Sequence, residues 1–329
     1  MGDIPWLVRD DIKGYAGRAE VKMDTQTTLF RVANSERMDD VIVKRLPREE
    51  AFEVLAHETR LGVLDALNEA DEPLPFEELR TRVGVDDPGQ FNYHLGKLVG
   101  HFVEKGDDGY ELSEAGLRVV GAVLSGGYTS TLDAEPIPMD TACMNCGAPM
   151  EARFRDAGIT IGCTDCTMDF MNANVPAGAL EGWSREDVPS VVDRWMKRYL
   201  AALDHGFCDF CDGRIERNVY TPDDEIAPEW VQGNRFEARV IFSCHRCTHQ
   251  ADSMIPYLIP IHPAIDSFHF EHGINVRETP MWELDWLHPG ITTLTSEDPI
   301  RLEIPVTLDS ETRTFVFDAD LDFVTTREK

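Results

Sequence analysis

All eight cysteines of this 329-residue chain fall into Cys-x-x-Cys pairs: Cys143 with Cys146, Cys163 with Cys166, Cys208 with Cys211, and Cys244 with Cys247. Sixteen residues separate the first two pairs and thirty-two the last two. Zinc takes four soft ligands in a tetrahedron, and a Cys-x-x-Cys turn supplies two thiolates on one knuckle, its amides pointing at the sulfurs. The spacing predicts one site from Cys143, Cys146, Cys163 and Cys166, and another from Cys208, Cys211, Cys244 and Cys247. A pairing that crosses between the units is geometrically wasteful. Four thiolates leave no open coordination position, so both Zn2+ ions are expected to be structural. Disulfides and redox couples are the alternative readings; a reducing compartment favours metal. His245 and His249, around the last pair, are expected at the surface.

Hairpins must carry these knuckles. "MEARFRD" with "GITIGC" reads as one, and "RIERNVY" with "RFEARVIFSC" as the other. In the latter, Phe236, Ala238, Val240 and Phe242 alternate on one face. Gly147 lets the chain leave its turn with positive φ, and Asp212-Gly213 offers the same. This arrangement resembles the zinc-ribbon family, in which two knuckles on a hairpin share one ion.

A second constellation lies upstream. Residues 49 to 123 read as a helix burying Leu55, Leu61, Leu64 and Leu67, then a short helix "PFEELRTRV" ending at a glycine turn. A third helix follows, with Asp87 as N-cap, Pro88 at N1, and Phe91, Leu95 and Leu98 on its buried face. "FVEKGDDGYELS" makes two short strands, and Ser113 starts a last helix. The text "LAHETRLGVLDAL" and "YHLGKL" in this order resembles ArsR-type transcriptional regulators over about a quarter of the chain. The resemblance implies a winged helix-turn-helix with Gly89, Gln90, Asn92, Tyr93 and Lys97 on the DNA-facing side of the third helix and Lys105 in the wing. Gln and Asn suit adenine edges, while Tyr and Lys suit phosphate or base edges. Asp107 and Asp108 make this wing acidic, unlike the family's, and the family's cysteine-bearing sensing motif is missing. Arsenite or zinc sensing is therefore not expected in this domain.

The expected fold is α+β, a winged helix-turn-helix followed by two ribbon units, helices and a terminal β-hairpin. An extension (1–47), with strands at "TTLFRVA" and "DVIVKRL", precedes the winged helix (48–125) and a Gly/Ser/Pro-bearing linker (126–140). The first ribbon (141–182), a connecting helix (183–205) capped by Ser184 and ended by Gly206, and the second ribbon (206–252) follow. The remainder (253–329) reads as a helix from Pro263 to Gly273, a second short helix at "TPMWELDWL", and a hairpin around "LDSET". His262, His269 and His272 cluster with Glu271. The helical pattern puts Ile265, Phe268 and His272 on one face, with His269 pointing elsewhere, and no fourth ligand or nucleophile has a recognisable spacing. Trp282 and Trp286 read as core, and His57 and His94 as packing or helix-surface residues.

Sixty acids against thirty-one bases give a net charge of −29, and only seven of the bases are Lys. Hydrophobic residues still make up 42% of the chain, which excludes a disordered acidic tail. An acidic, Lys-poor, foldable chain resembles proteins of halophilic archaea. From Arg48 to Val123 there are seven bases and seventeen acids, yet Pro88 to Val103 has no acid at all. No stretch of eighteen apolar residues and no signal-peptide core occurs, so a cytoplasmic chain without a membrane span is expected. No P-loop, GxGxxG or nucleophile arrangement is present, and the chain is not read as an enzyme.

These readings converge on a transcriptional regulator that binds double-stranded DNA, as a homodimer over a palindrome. Its C-terminal half would sense a small-molecule or protein effector, or dimerise. The alternative is an adaptor that binds proteins of the transcription machinery through the same modules.

Overall fold

The computed structural model describes residues 35–38, 41–44, 47–155, 158–232, 238–260, 262–288, 290–297 and 299–328. The expected strand at "TTLFRVA" and the position of Phe236 lie outside them. Two compact units result, one within residues 7–130 and one over residues 131–329, and their architecture is mixed α+β.

In the first unit, β1 (Ser35–Met38) and β2 (Val41–Lys44) pair antiparallel. The helix expected from residue 49 is broken in two, α1 (Arg48–Leu55) and α2 (Glu58–Asn68). His57 causes the restart: its backbone is extended, and its ring Nδ1 accepts the Thr59 amide as an N-cap. The break shifts the helical phase, so Leu61 is 42% exposed and Val63 takes its place in the core beside Leu64 and Leu67. Leu55 is only partly buried. Next come α3 (Phe76–Val83), closed by Gly84 at φ 78°, and α4 (Pro88–Leu98). Asp87 caps α4 through Gln90 N at 2.6 Å.

The hairpin is β3 (Val103–Lys105) with β4 (Tyr110–Leu112), and α5 (Glu114–Leu124) follows, capped by Ser113. Leu74 adds a bridge to Tyr110 through two 2.9 Å backbone bonds. Gly109 permits it, because a Cβ there would stand 2.5 Å from the Leu74 carbonyl oxygen. Phe91, Leu95 and Leu98 are fully buried as expected, with Val63, Leu64 and Leu79 around them.

The second unit starts inside the stretch read as linker, because β5 (Ile137–Ala142) already pairs with β6 (Pro149–Arg155). The sheet continues through β7 (Gly158–Cys163) and β8 (Asp169–Ala173) in the order β5-β6-β7-β8. Helix α6 (Val188–Asp204) begins four residues later than Ser184. Ser184 bonds the Asp187 carboxylate instead, while turns over 184–188 delay the helix. Gly206, at φ 83°, follows its end. Asp193, buried on α6, accepts from Lys197 at 2.7 Å and from the Met281 amide at 2.8 Å, and so fixes a distant segment to the helix.

A three-stranded sheet of β9 (Ile215–Tyr220), β10 (Arg239–Cys244) and β11 (Gln250–Met254) carries the later cysteines. Ala238, Val240 and Phe242 are buried on the expected face. Helix α7 (Pro263–Glu271) starts and stops as predicted, but "TPMWELDWL" forms only two 3-10 turns, Met281–Glu283 and Asp285–Leu287. The expected terminal hairpin, β13 (Ile300–Leu308) with β14 (Glu311–Phe317), is flanked by β12 (Thr293–Glu297) and β15 (Phe323–Glu328). One continuous core joins both cysteine sheets, α6, α7, Trp282, Trp286 and this last sheet. No described helix is long and apolar enough to cross a membrane.

Candidate metal centres

The eight cysteines gather as their spacing predicts, Cys143, Cys146, Cys163 and Cys166 in one cluster and Cys208, Cys211, Cys244 and Cys247 in the other, with the four sulfurs of each within 4.8 Å of one another. Cys143 to Cys166 is 3.8 Å and Cys146 to Cys163 is 3.5 Å. Cys208 to Cys247 is 3.7 Å and Cys211 to Cys244 is 3.5 Å. A disulfide needs about 2.05 Å, so all eight thiols are free. A tetrahedral ion with Zn–S near 2.3 Å needs sulfur–sulfur edges of about 3.8 Å, which these distances approach. The donor sets fit two four-thiolate zinc ions whose chemistry is structural, with no coordination position left for substrate.

The two centres are built alike. Cys143 N donates to Ala148 O and Cys208 N to Gly213 O; Cys163 N donates to Met168 O and Cys244 N to His249 O. The second knuckle of each directs two amides at one sulfur, from Asp165 and Cys166 to Cys163 and from Arg246 and Cys247 to Cys244, at 3.3 to 3.4 Å. Gly147 meets the expectation of positive φ at 78°. In the second centre Asp212 itself takes it, at 52°. Gly213 serves a different need: a Cβ there would lie 2.8 Å from Arg246 Cβ and 3.0 Å from the Cys211 sulfur.

Protons are distributed unevenly among these thiols. The Cys247 amide leads in pulling Cys244 down to about 6, with the Arg246 amide and the Cys211 and Cys247 thiols adding to it. Burial pushes Cys166 up, but the Asn145 side chain, the Met168 amide and neighbouring thiols outweigh it and leave Cys166 at about 7. Burial, with neighbouring thiols, pushes Cys211 up to about 12. Cys146 also reaches about 12: the Ala148 amide pulls it down, and the surrounding thiols and burial overcome that pull. A cation at the centre would hold all four sulfurs as thiolates, as a zinc site requires.

Residues 140–323 match a family described as Domain of unknown function (DUF7351). The chain belongs to the DUF7351 family. That match takes in both metal centres and most of the last sheet, while residues 48–123 match a second family, Domain of unknown function (DUF7347), spanning α1 to α5. No curated protein and no solved structure matches the chain.

The remaining expected site residues lie in the DUF7347 match. Gly89, Gln90, Asn92, Tyr93 and Lys97 are all exposed on α4, with the Lys97 ammonium 5.8 Å from the centre of the Tyr93 ring. Lys105 sits on β3, over Tyr110 at 5.4 Å. His57 and His94 pack ring on ring at 3.9 Å. In the DUF7351 region, His269 reverses its expected position. It is wholly buried beside Ile265 and Phe268, while His272 is only partly covered. Its Nδ1 reaches Ile265 O at 2.8 Å, and Trp286 donates to its Nε2 at 3.0 Å. His245 is exposed, but His249 is half buried against Tyr199 and Phe210. Among the non-cysteine positions of the second knuckles, only His245 and His249 had a reading in the sequence; the signal for the others was the contrast between "CTDCTM" and "CHRCTH".

Proposed function

We propose that this chain is a DNA-binding transcriptional regulator of the ArsR-like winged-helix class. In this reading α4 enters the major groove of double-stranded DNA and the β3–β4 hairpin is the wing. The DUF7351 region, held by two structural zinc ions, senses an effector or joins two copies. The observation that carries it is the outer face of α4. Gln90, Asn92, Tyr93 and Lys97 are exposed together on a helix whose other face is anchored by Phe91, Leu95 and Leu98. No acid interrupts that helix, in a chain with sixty of them. In molar salt the Debye length is about 3 Å, so the chain's distant acids oppose DNA little and local contacts decide.

The exposed Asp107 and Asp108 at the hairpin tip favour the second reading, a protein-binding adaptor, because they would repel a phosphate backbone. Mapping of chromosomal binding positions, followed by affinity measurements in molar salt, separates the two. Asn92→Ala should weaken binding by about 1–3 kcal/mol and relax base preference, and Lys97→Ala should weaken binding to all sequences alike. Unchanged affinity in both folded variants would place the adaptor first.

A further inference from the structure

The two metal centres share one backbone plan, so each is a control for the other. In the first, the positions between the cysteines are Met144, Asn145, Thr164 and Asp165. In the second they are Asp209, Phe210, His245 and Arg246. A neutral amide has become an aromatic ring and an acid has become a base, although the ligand geometry is unchanged. Four-thiolate binding does not call for either exchange.

The surroundings extend the contrast. Phe210 is 72% exposed, where an apolar ring is costly to leave in water. Its centre lies 4.5 Å from the His249 ring, and His249 Nε2 is 3.0 Å from the Tyr199 hydroxyl. Trp195 stacks on Tyr199 with 7° between the planes, and the Arg198 guanidinium sits 5.6 Å from the centre of the Trp195 ring. Asp209, the nearby acid, pairs with Arg198. Arg246 is exposed and donates to Cys211 O at 3.3 Å. Rings therefore run from the knuckle to α6, with Arg198 between Trp195 and the knuckle's Asp209 and with Arg246 on the knuckle's backbone, on a chain that is otherwise strongly acidic.

We propose that this surface binds single-stranded DNA by stacking unpaired bases on Phe210 and its neighbouring rings, with Arg198 and Arg246 at the phosphates. Aromatic stacking accepts any base and persists in salt that screens phosphate contacts, which suits a chain of charge −29. The choice of DNA over RNA rests on the proposed regulator function.

The test uses the zinc-loaded full chain in molar salt and a fluorescent oligo(dT) probe. The expected result is binding that Phe210→Ala weakens about tenfold and Phe210→Trp restores, both variants keeping two zinc equivalents. An abasic strand of the same length, with every phosphate but no base, should bind far more weakly. Duplex carrying a mapped chromosomal site, titrated separately with the parent chain, reports the α4 reading by itself, so the two readings can fail independently. Absence of oligo(dT) binding by the parent, or equal binding by parent and Phe210→Ala, overturns the proposal. Tighter binding of oligo(U) than oligo(dT) overturns the assignment to DNA and makes the surface an RNA platform.

Discussion

Trp286 donates its indole N–H to Nε2 of His269 at 3.0 Å, and this bond decides the histidine's protonation. Because Nε2 accepts, the ring's hydrogen is on Nδ1, where it meets the Ile265 carbonyl. Both nitrogens are satisfied by a neutral ring in the core. Burial accordingly holds the His269 pKa below the ordinary histidine value, and it does the same at His94, His249 and His262.

A pH dependence follows with a definite sign. The unfolded histidines take up protons near pH 6.5, and the folded ones resist until lower pH. Their contribution to stability is complete above about pH 6.5 and declines as the pH falls towards the depressed folded values. Thermal melting in molar salt from pH 8 to pH 5 should show this decline beginning near 6.5. His269→Phe should lower stability by about 1–3 kcal/mol, since the Trp286 donor is left unmet, and should also reduce the acid-side slope. A slope unchanged in that variant would refute the neutral buried ring.

Metal content is the second expectation. The reduced protein should carry two zinc equivalents by elemental analysis, each contributing on the order of 10 kcal/mol to local folding. Four disulfides and no zinc would reverse the assignment.

The two glycines of the first knuckles should respond differently to alanine. Gly213→Ala forces a methyl against Arg246 and the Cys211 sulfur, so the second centre should lose zinc affinity by roughly 10–100-fold. Gly147→Ala meets no atom within 4 Å and should cost only about 1–2 kcal/mol for its positive φ, with zinc retained. Competition against a chelator of known affinity distinguishes these outcomes. Equal zinc loss in both variants would mean that space at Gly213 is not the constraint.

The N-cap of α4 offers a fourth measurement. Asp87→Ala removes the 2.6 Å bond to Gln90 N and should destabilise the 48–123 region by about 0.5–2 kcal/mol. Amide exchange along α4 should rise while exchange in β6 and β7 stays level, because residues 131–329 form a unit of their own.

Local chemistry was legible in the sequence wherever a short stretch contained the whole cause. Cysteine spacing placed both sulfur clusters, and Asp87, Ser113 and Gly84 marked helix ends correctly, because caps act over three or four residues. Longer-range causes were not visible. His269 is buried by Trp286, seventeen residues away, and no periodicity in α7 reports that partner. Leu61 was misplaced because one ring nitrogen of His57 restarts the helix and moves its phase. Strand β8 went unseen for a different reason. It packs beside β7, which is buried at all six positions, so neither strand shows clean alternation.

The continuous core beneath both metal centres has a thermodynamic result. Cys143, Cys163 and Cys208 belong to the same buried cluster as Phe242, Ile259 and Phe317, so neither centre can unravel without exposing surface that supports the other. Two ions bound there, sharing no ligand, would thereby be linked through one packing equilibrium. Zinc should load the unfolded chain in a sigmoid, with the singly loaded species scarce at every step of the titration.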